Sequence, residues 1–167
     1  LTNGDKAQMS FVDPPYNVPI DGNVGGKGKI KHREFAMASG EMSTEGFAKF
    51  LESAFMNIAA HCEPGAICFA CMDWRHQQEI VAAGDQAFDS LKNLIVWVKG
   101  NGGMGTFYRS RHELIYAFKV SEGQHRNNFE LGQHGRHRTN VWNYAGVNSF
   151  RKGRMEELAM HPTVKPV

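Results

Sequence analysis

The stretch Met9-Ser10-Phe11-Val12-Asp13-Pro14-Pro15-Tyr16 decides the reading of this 167-residue chain. Met9 to Val12 is a short apolar run that reads as a buried strand, and it stops at a turn carrying one carboxylate, two prolines and one aromatic ring. The prolines fix φ and remove two backbone donors, so the turn is stiff and the Pro14 carbonyl faces outward with no neighbouring N–H to engage it. Asp13 and that carbonyl together make a small cup of hydrogen-bond acceptors. An amino group on a planar heterocycle can give its two hydrogens to the cup while Tyr16 stacks on the ring. The same four letters also suit a strand ending in a plain Pro-Pro turn with a solvated Asp, so the surroundings have to decide.

Outward from the turn, the periodicity reads as an open α/β sheet. A Gly- and Lys-rich segment from Asn17 to about Met42 is expected to be a mobile loop. Ser43 or Thr44 then caps a helix whose buried stripe is Phe47, Phe50, Leu51, Ala54, Phe55 and Ile58, with Pro64-Gly65 stopping the pattern. A second strand is expected at about 66 to 71. Asp73 caps a second helix running to about Ala87, Leu91 to Val98 reads as a third strand, and residues 112 to 120 as a fourth. Helical crossovers imply that strands one, two and three are parallel neighbours. The link between three and four holds no convincing helix and permits an antiparallel return. Beyond Ser121 the pattern dissolves, with Asn140 to Tyr144 as a strand-like island.

Composition sets the outer limits. With 41% hydrophobic and 22% charged residues the chain is ordinary for a globular domain, and 167 residues suffice for one core. No run approaches a bilayer span and the N-terminus lacks a secretory pattern, so no membrane is expected and the cytoplasm is the default location. The odd set Cys62, Cys68 and Cys71 points to reduced thiols. A strand would send Cys68 and Cys71 to opposite faces, and no second pair completes four ligands, so small core residues are expected and no metal.

The net charge of +2 is unevenly distributed. Between His125 and Arg154 stand six basic residues, among them Arg126, Arg136 and Arg138, against the single acid Glu130. Lys27, Lys29 and Lys31 make another basic run in the loop after the turn. Two such runs flanking a base-sized cup fit phosphate contact, and hence nucleic acid, although each alone also fits a solvated loop. Gly100-Asn101-Gly102-Gly103-Met104-Gly105 satisfies G-x-G-x-x-G, the only ground for a nucleotide-dependent oxidoreductase. No long amphipathic helix follows it to face a pyrophosphate. A loop beside DNA, with Arg109 and Arg111 as phosphate ligands, is the better reading, with a plain connecting loop as its alternative.

Asp13-Pro14-Pro15-Tyr16 after a short strand resembles the catalytic tetrapeptide of the amino-group DNA methyltransferases, which methylate adenine N6 or cytosine N4 with S-adenosylmethionine. His161-Pro162-Thr163-Val164-Lys165-Pro166 resembles a segment that, in permuted members of that family, follows the DNA-recognition region and helps hold the cofactor. The resemblance implies the catalytic half of a Rossmann-like α/β sheet, mostly parallel with one antiparallel strand. It divides the chain into a catalytic core over residues 1–120, a target-recognition and DNA-contact segment over 121–160, and the start of a cofactor-binding segment over 161–167. Asp13, Pro14, Pro15 and Tyr16 become the catalytic set. Phe11, Asp13, His161, Pro162, Thr163, Lys165 and Pro166 become the cofactor-binding set.

The chemistry agrees with that resemblance. An exocyclic amine is a poor nucleophile because its lone pair is delocalised into the ring; hydrogen bonds to Asp13 and the Pro14 carbonyl would localise it. The base would have to be flipped out of double-stranded DNA and held on Tyr16. Asp at the first position favours adenine N6, with cytosine N4 as the alternative, and a role in restriction-modification, regulation or a phage stays open. The family's Phe-x-Gly-x-Gly cofactor loop occurs nowhere in the sequence. The resemblance therefore implies a partial catalytic domain, with that loop beyond Val167, and keeps a non-catalytic DNA-binding module as the rival reading.

Overall fold

The computed structural model describes residues 3–20, 33–103, 107–125, 127, 129–146 and 165. Strand β1 is Ala7–Val12 and helix α1 is Thr44–Ala60; β2 is Cys62–Met72, α2 is Gln77–Ala87, β3 is Ser90–Val98, β4 is His112–Lys119 and β5 is Val141–Asn143. Among the described residues the five strands form one sheet in the order β1-β2-β4-β3-β5. β1 runs parallel to β2 and β3 parallel to β5, while β4 is antiparallel to both β2 and β3. Four strands therefore share a direction and one is reversed. This corrects the expectation that strands one, two and three are neighbours: β4 inserts between β2 and β3, its centre the apolar run Leu114 to Phe118, buried throughout.

Local signals explain most element ends. The Ser43 hydroxyl accepts from Gly46 N at 3.1 Å and caps α1. Asp73 accepts from Arg75 N and His76 N, but it caps a single 3-10 turn, Trp74–His76, from which α2 then continues. β2 begins four residues earlier than expected because Pro64-Gly65 lies inside the strand and does not precede it. There the β1–β2 register slips from Ala7 opposite Cys62 to Met9 opposite Ile67. Gly65 sits at φ +75°, where a Cβ would lie 2.5 Å from the Gln124 carbonyl oxygen, so a bulge with this close approach requires glycine.

Both helices cover one face of the sheet. Phe47, Leu51 and Phe55 of α1 and Ile80 and Ala83 of α2 pack with Cys68, Ala70, Met72, Leu114, Tyr116 and Phe118. Phe55, Phe88 and Phe118 form an aromatic knot with centroids 5.2 to 6.0 Å apart. Gly84 lets α2 approach it, since a Cβ there would meet the Phe118 ring at 2.3 Å. On the opposite face Cys71, Ile95, Trp97, Ile115 and Ala117 make a second cluster. Cys68 and Cys71 thus point to opposite faces, and all three cysteines are free and buried. Among the described residues no helix is long and apolar enough to cross a membrane.

Candidate active site

Strand direction assembles the site. β1, β2 and β3 end at the same edge of the sheet, and β4, running the other way, begins there: Glu113 stands opposite Trp97 and His112 opposite Val98. Side chains alternate along β4, so Glu113 shares the face of Ile115 and Ala117 and points away from the helices. Asp13 follows the last residue of β1 and Lys99 the last residue of β3. One reversed strand in a parallel set thereby brings two acids and a lysine to the ends of the strands, where open α/β sheets carry their sites.

The Asp13-Pro14-Pro15-Tyr16 turn is held from both sides. Asn17, at φ +51°, accepts from Gly40 N and Met42 N and donates to the Met42 carbonyl at 2.9 Å, tying the turn to the residues before α1. Asn tolerates this left-handed conformation better than most residues. Tyr16 packs against both apolar clusters. Its hydroxyl donates to Asp13 Oδ1 at 2.9 Å, with Glu113 Oε2 at 3.1 Å, and accepts from Lys165 Nζ at 2.9 Å.

Lys165 completes the cluster. Its ammonium lies 3.1 Å from Asp13 Oδ1, is hydrogen-bonded to Glu113 Oε2, and sits 5.1 Å from the Tyr16 ring centroid and 5.6 Å from that of Trp97. Lys99 pairs with the other Glu113 oxygen and stands 4.9 Å from the Trp97 ring. The side chains of Glu113, Lys165 and Asp13 are only 14, 15 and 22% exposed, so two carboxylates and two ammonium groups balance one another largely out of water. Among the described residues no group donates to Asp13 Oδ2 or to the Pro14 carbonyl.

These contacts set the protonation states. Burial pushes the Asp13 carboxyl up, and Lys165 and Tyr16 oppose that without reversing it. Burial also acts to raise Glu113, but the ammonium groups of Lys165 and Lys99 overcome it and hold this carboxyl below its ordinary value. Burial lowers Lys165, yet Glu113 and Asp13 carry it above the usual lysine value. Burial first, then the two acids, push the Tyr16 hydroxyl well up. The nearby Cys71 thiol is pushed up to about 12 by burial, so it is no nucleophile at neutral pH.

The sequence-expected residues are only partly gathered here. Asp13, Pro14, Pro15 and Tyr16 form the turn, and Lys165, expected on the cofactor side, has its ammonium on Asp13, Tyr16 and Glu113. Phe11 lies on β1 with a half-exposed ring 6.4 Å from Phe69. His161, Pro162, Thr163, Pro166, Lys27, Lys29, Lys31 and Arg126 lie outside the described residues. Arg109 donates to the Gly102 and Gly103 carbonyls of its own loop. Arg136 pairs with Glu130, and Arg138 stands 5.6 Å from the Phe129 ring. Arg111 is exposed and lines an open groove with Lys99, Asn143 and Tyr144. No helix begins between Gly100 and Gly103.

Glu113 and Lys99 were not among the expected residues. Their only sequence signal is a charge at the end of an otherwise apolar strand, which also describes an ordinary solvated end. Among the described residues no three His, Cys, Asp or Glu side chains gather as a metal would need. At the end of β1 the sequence sets the half-exposed Phe11 two residues before Asp13, an apolar ring and an acid on the same strand end.

Comparison with known proteins bears on what such a site does. The family model described as DNA methylase, that of the N6 and N4 methyltransferases, matches residues 7–167. None of the curated proteins matches the sequence. Among solved structures, the M1.HpyAVI–SAM complex is similar at 12% identity and a TM-score of 0.53, over 99% of this chain and 68% of that one. The PvuII DNA methyltransferase, cytosine-N4-specific, is similar at 9% identity and a TM-score of 0.58, over 89% of this chain and 54% of that one. A Thermus thermophilus protein described as a putative DNA modification methylase, complexed with S-adenosyl-L-methionine, is similar at 17% identity, with a TM-score of 0.50 over 83% of this chain and 60% of that one. At these identities the likeness shows the fold, and the chain spans 54 to 68% of the length of these structures.

Proposed function

This chain belongs to the DNA methylase family of N6 and N4 methyltransferases, and from that premise we propose that it serves methyl transfer from S-adenosylmethionine to the exocyclic amine of a base flipped out of double-stranded DNA, adenine N6 in preference to cytosine N4. The supporting observation is the pair of acceptors at the turn that no described group engages, Asp13 Oδ2 and the Pro14 carbonyl. One amine has two hydrogens, and these two oxygens accept one each.

The roles follow from chemistry. Accepting both hydrogens concentrates electron density on the nitrogen, and the negative Asp13 would offset the positive charge that nitrogen gains as the new N–C bond replaces the methyl group's bond to the donor sulfur; the surplus N–H proton then passes to solvent, leaving the neutral methylated amine. The Tyr16 hydroxyl is fixed by Asp13 and Lys165, so its ring is held in place for the base to stack on. Phe11, Asp13 and the 161–166 segment would hold the cofactor, which when bound supplies the methyl group. No covalent enzyme nucleophile takes part. Flipping costs a few kcal/mol, offset by stacking and by the two hydrogen bonds.

Adenine is preferred because Asp stands first in the tetrapeptide. The decisive experiment incubates the protein with labelled S-adenosylmethionine and duplex DNA, then hydrolyses the DNA to nucleosides. N6-methyldeoxyadenosine is the expected product, and N4-methyldeoxycytidine alone would overturn the choice of base. Asp13→Ala is expected to lower the rate at least about 100-fold, on the scale of removing a group that stabilises developing charge. A rate like that of the wild type would remove Asp13 from the mechanism.

A further inference from the structure

We propose that Lys165 is the positioning residue for Asp13 and Glu113 its anchor: the ammonium engages Asp13 Oδ1 and so reserves Oδ2 for the incoming amine. This rests on the function proposed above, but it assigns Lys165 to the acceptor side of the reaction and gives Glu113 and Lys99 their first roles.

Geometry carries the inference. Asp13 Oδ1 takes both the Tyr16 hydroxyl and the Lys165 ammonium, while no described group donates to Oδ2. A carboxylate with two open oxygens can rotate and take an amine in several poses, but with Oδ1 engaged from two directions the plane is fixed and Oδ2 is the oxygen left to accept. Lys165 alone would not hold this arrangement, since a lysine stem is flexible and its ammonium has three donors to satisfy. Those donors meet Asp13 Oδ1, the Tyr16 hydroxyl oxygen and Glu113 Oε2. Glu113 is steadied in turn by Lys99 on its other oxygen.

The arrangement also keeps Asp13 in its working state. As hydrogen-bond acceptor it must be ionised, yet burial and Glu113 both favour its protonated form, and Lys165 and Tyr16 are the groups that counter them. Among the described residues, Lys99 and Cys71 are the further titratable groups around the cluster. Lysine at 165 thus has two effects through one contact, a fixed carboxylate plane and a carboxylate that stays charged.

The test needs neither DNA nor methyl donor. In protein carrying 13Cγ-labelled aspartate, with the Asp13 signal assigned by its loss in Asp13→Asn, Lys165→Met is expected to raise the Asp13 midpoint by about one pH unit or more. Lys165→Arg is expected to bring it back towards the wild-type value. Lys165→Gln, which keeps a donor, serves as the second neutral variant, with circular dichroism melts reporting the fold of each. The Lys165 15Nζ signal, sharp where three oxygens slow proton exchange, is expected to broaden in Glu113→Gln; a signal that stays sharp overturns the anchoring role. In methyl transfer, Lys165→Met is expected to move the acid limb of the pH–rate profile upward and to lower kcat more than it raises KM. An unchanged Asp13 midpoint in folded Lys165→Met and Lys165→Gln overturns the proposal whether or not the protein methylates DNA. A raised midpoint in protein that transfers no methyl group overturns the function and leaves the pairing standing.

Discussion

Tyr16 divides its side chain between two tasks: the hydroxyl ties Asp13 to Lys165, and the ring is what a base would lie on. Tyr16→Phe is expected to keep the ring and lose the tie, destabilising the fold by about 1–2 kcal/mol because the buried lysine loses an acceptor. Tyr16→Ala should also abolish the enhanced fluorescence of a duplex with 2-aminopurine at the target position, a signal that Tyr16→Phe keeps. Glu113 gives a prediction whose sign follows from its lowered pKa. A carboxyl lowered by folding contributes stability above its unfolded value of about 4.3, and loses it as pH falls through the folded value. Glu113→Gln should therefore destabilise the protein by about 3 kcal/mol at neutral pH, since two partly buried lysines lose their shared partner. Urea unfolding should show that gap closing on acidification below about pH 4. A gap that does not change with pH would mean that the carboxylate charge contributes nothing.

Each element carries its own weak point. In α2, Gly84→Ala would ordinarily strengthen a helix, but the added methyl meets the Phe118 ring, so a net loss of about 1–3 kcal/mol is expected in a thermal melt. In the loop between β3 and β4, Arg109 holds the chain's own carbonyls while Arg111 is exposed beside the groove. Arg111→Ala should weaken DNA binding and reduce the slope of log K against log salt by about one, whereas Arg109→Ala should leave the slope nearly unchanged. Elements were the most legible level of the sequence. The stripe from Phe47 to Ile58 and the Ser43 cap are local signals, and α1 follows them. Pro64-Gly65 misled because proline and glycine look alike in a strand break and in a bulge, and only the Gln124 carbonyl, some sixty residues on, distinguishes the two.

At the scale of the whole molecule, strand order was the least legible feature. The short β3–β4 connection suggested the reversal, but the place of β4 between β2 and β3 depends on two non-local ladders that no local pattern records. Glu113 escaped notice for the same reason: a charge at a strand end gains meaning only when the strand is reversed and its start lies beside Asp13. The Asp13 turn was legible because proline, carboxylate and aromatic ring carry their constraint within four residues. One edge of the sheet is β1, where Met9 and Phe11 are exposed. Apolar edge strands invite pairing with other chains, so Met9→Lys should lower concentration-dependent association in sedimentation velocity.

Lys165 meets Tyr16 across 149 residues of chain. Lys165 is synthesised about 20 residues after β5, the last strand among the described residues, so at about 5–20 residues per second a nascent chain spends about one to four seconds with the described strands made and this ammonium still missing. During that interval Asp13 is without the counter-charge that opposes its protonation. Translation order thus sets the Asp13–Lys165 contact after every described strand, so the counter-charge is the last described part of the cluster to be made.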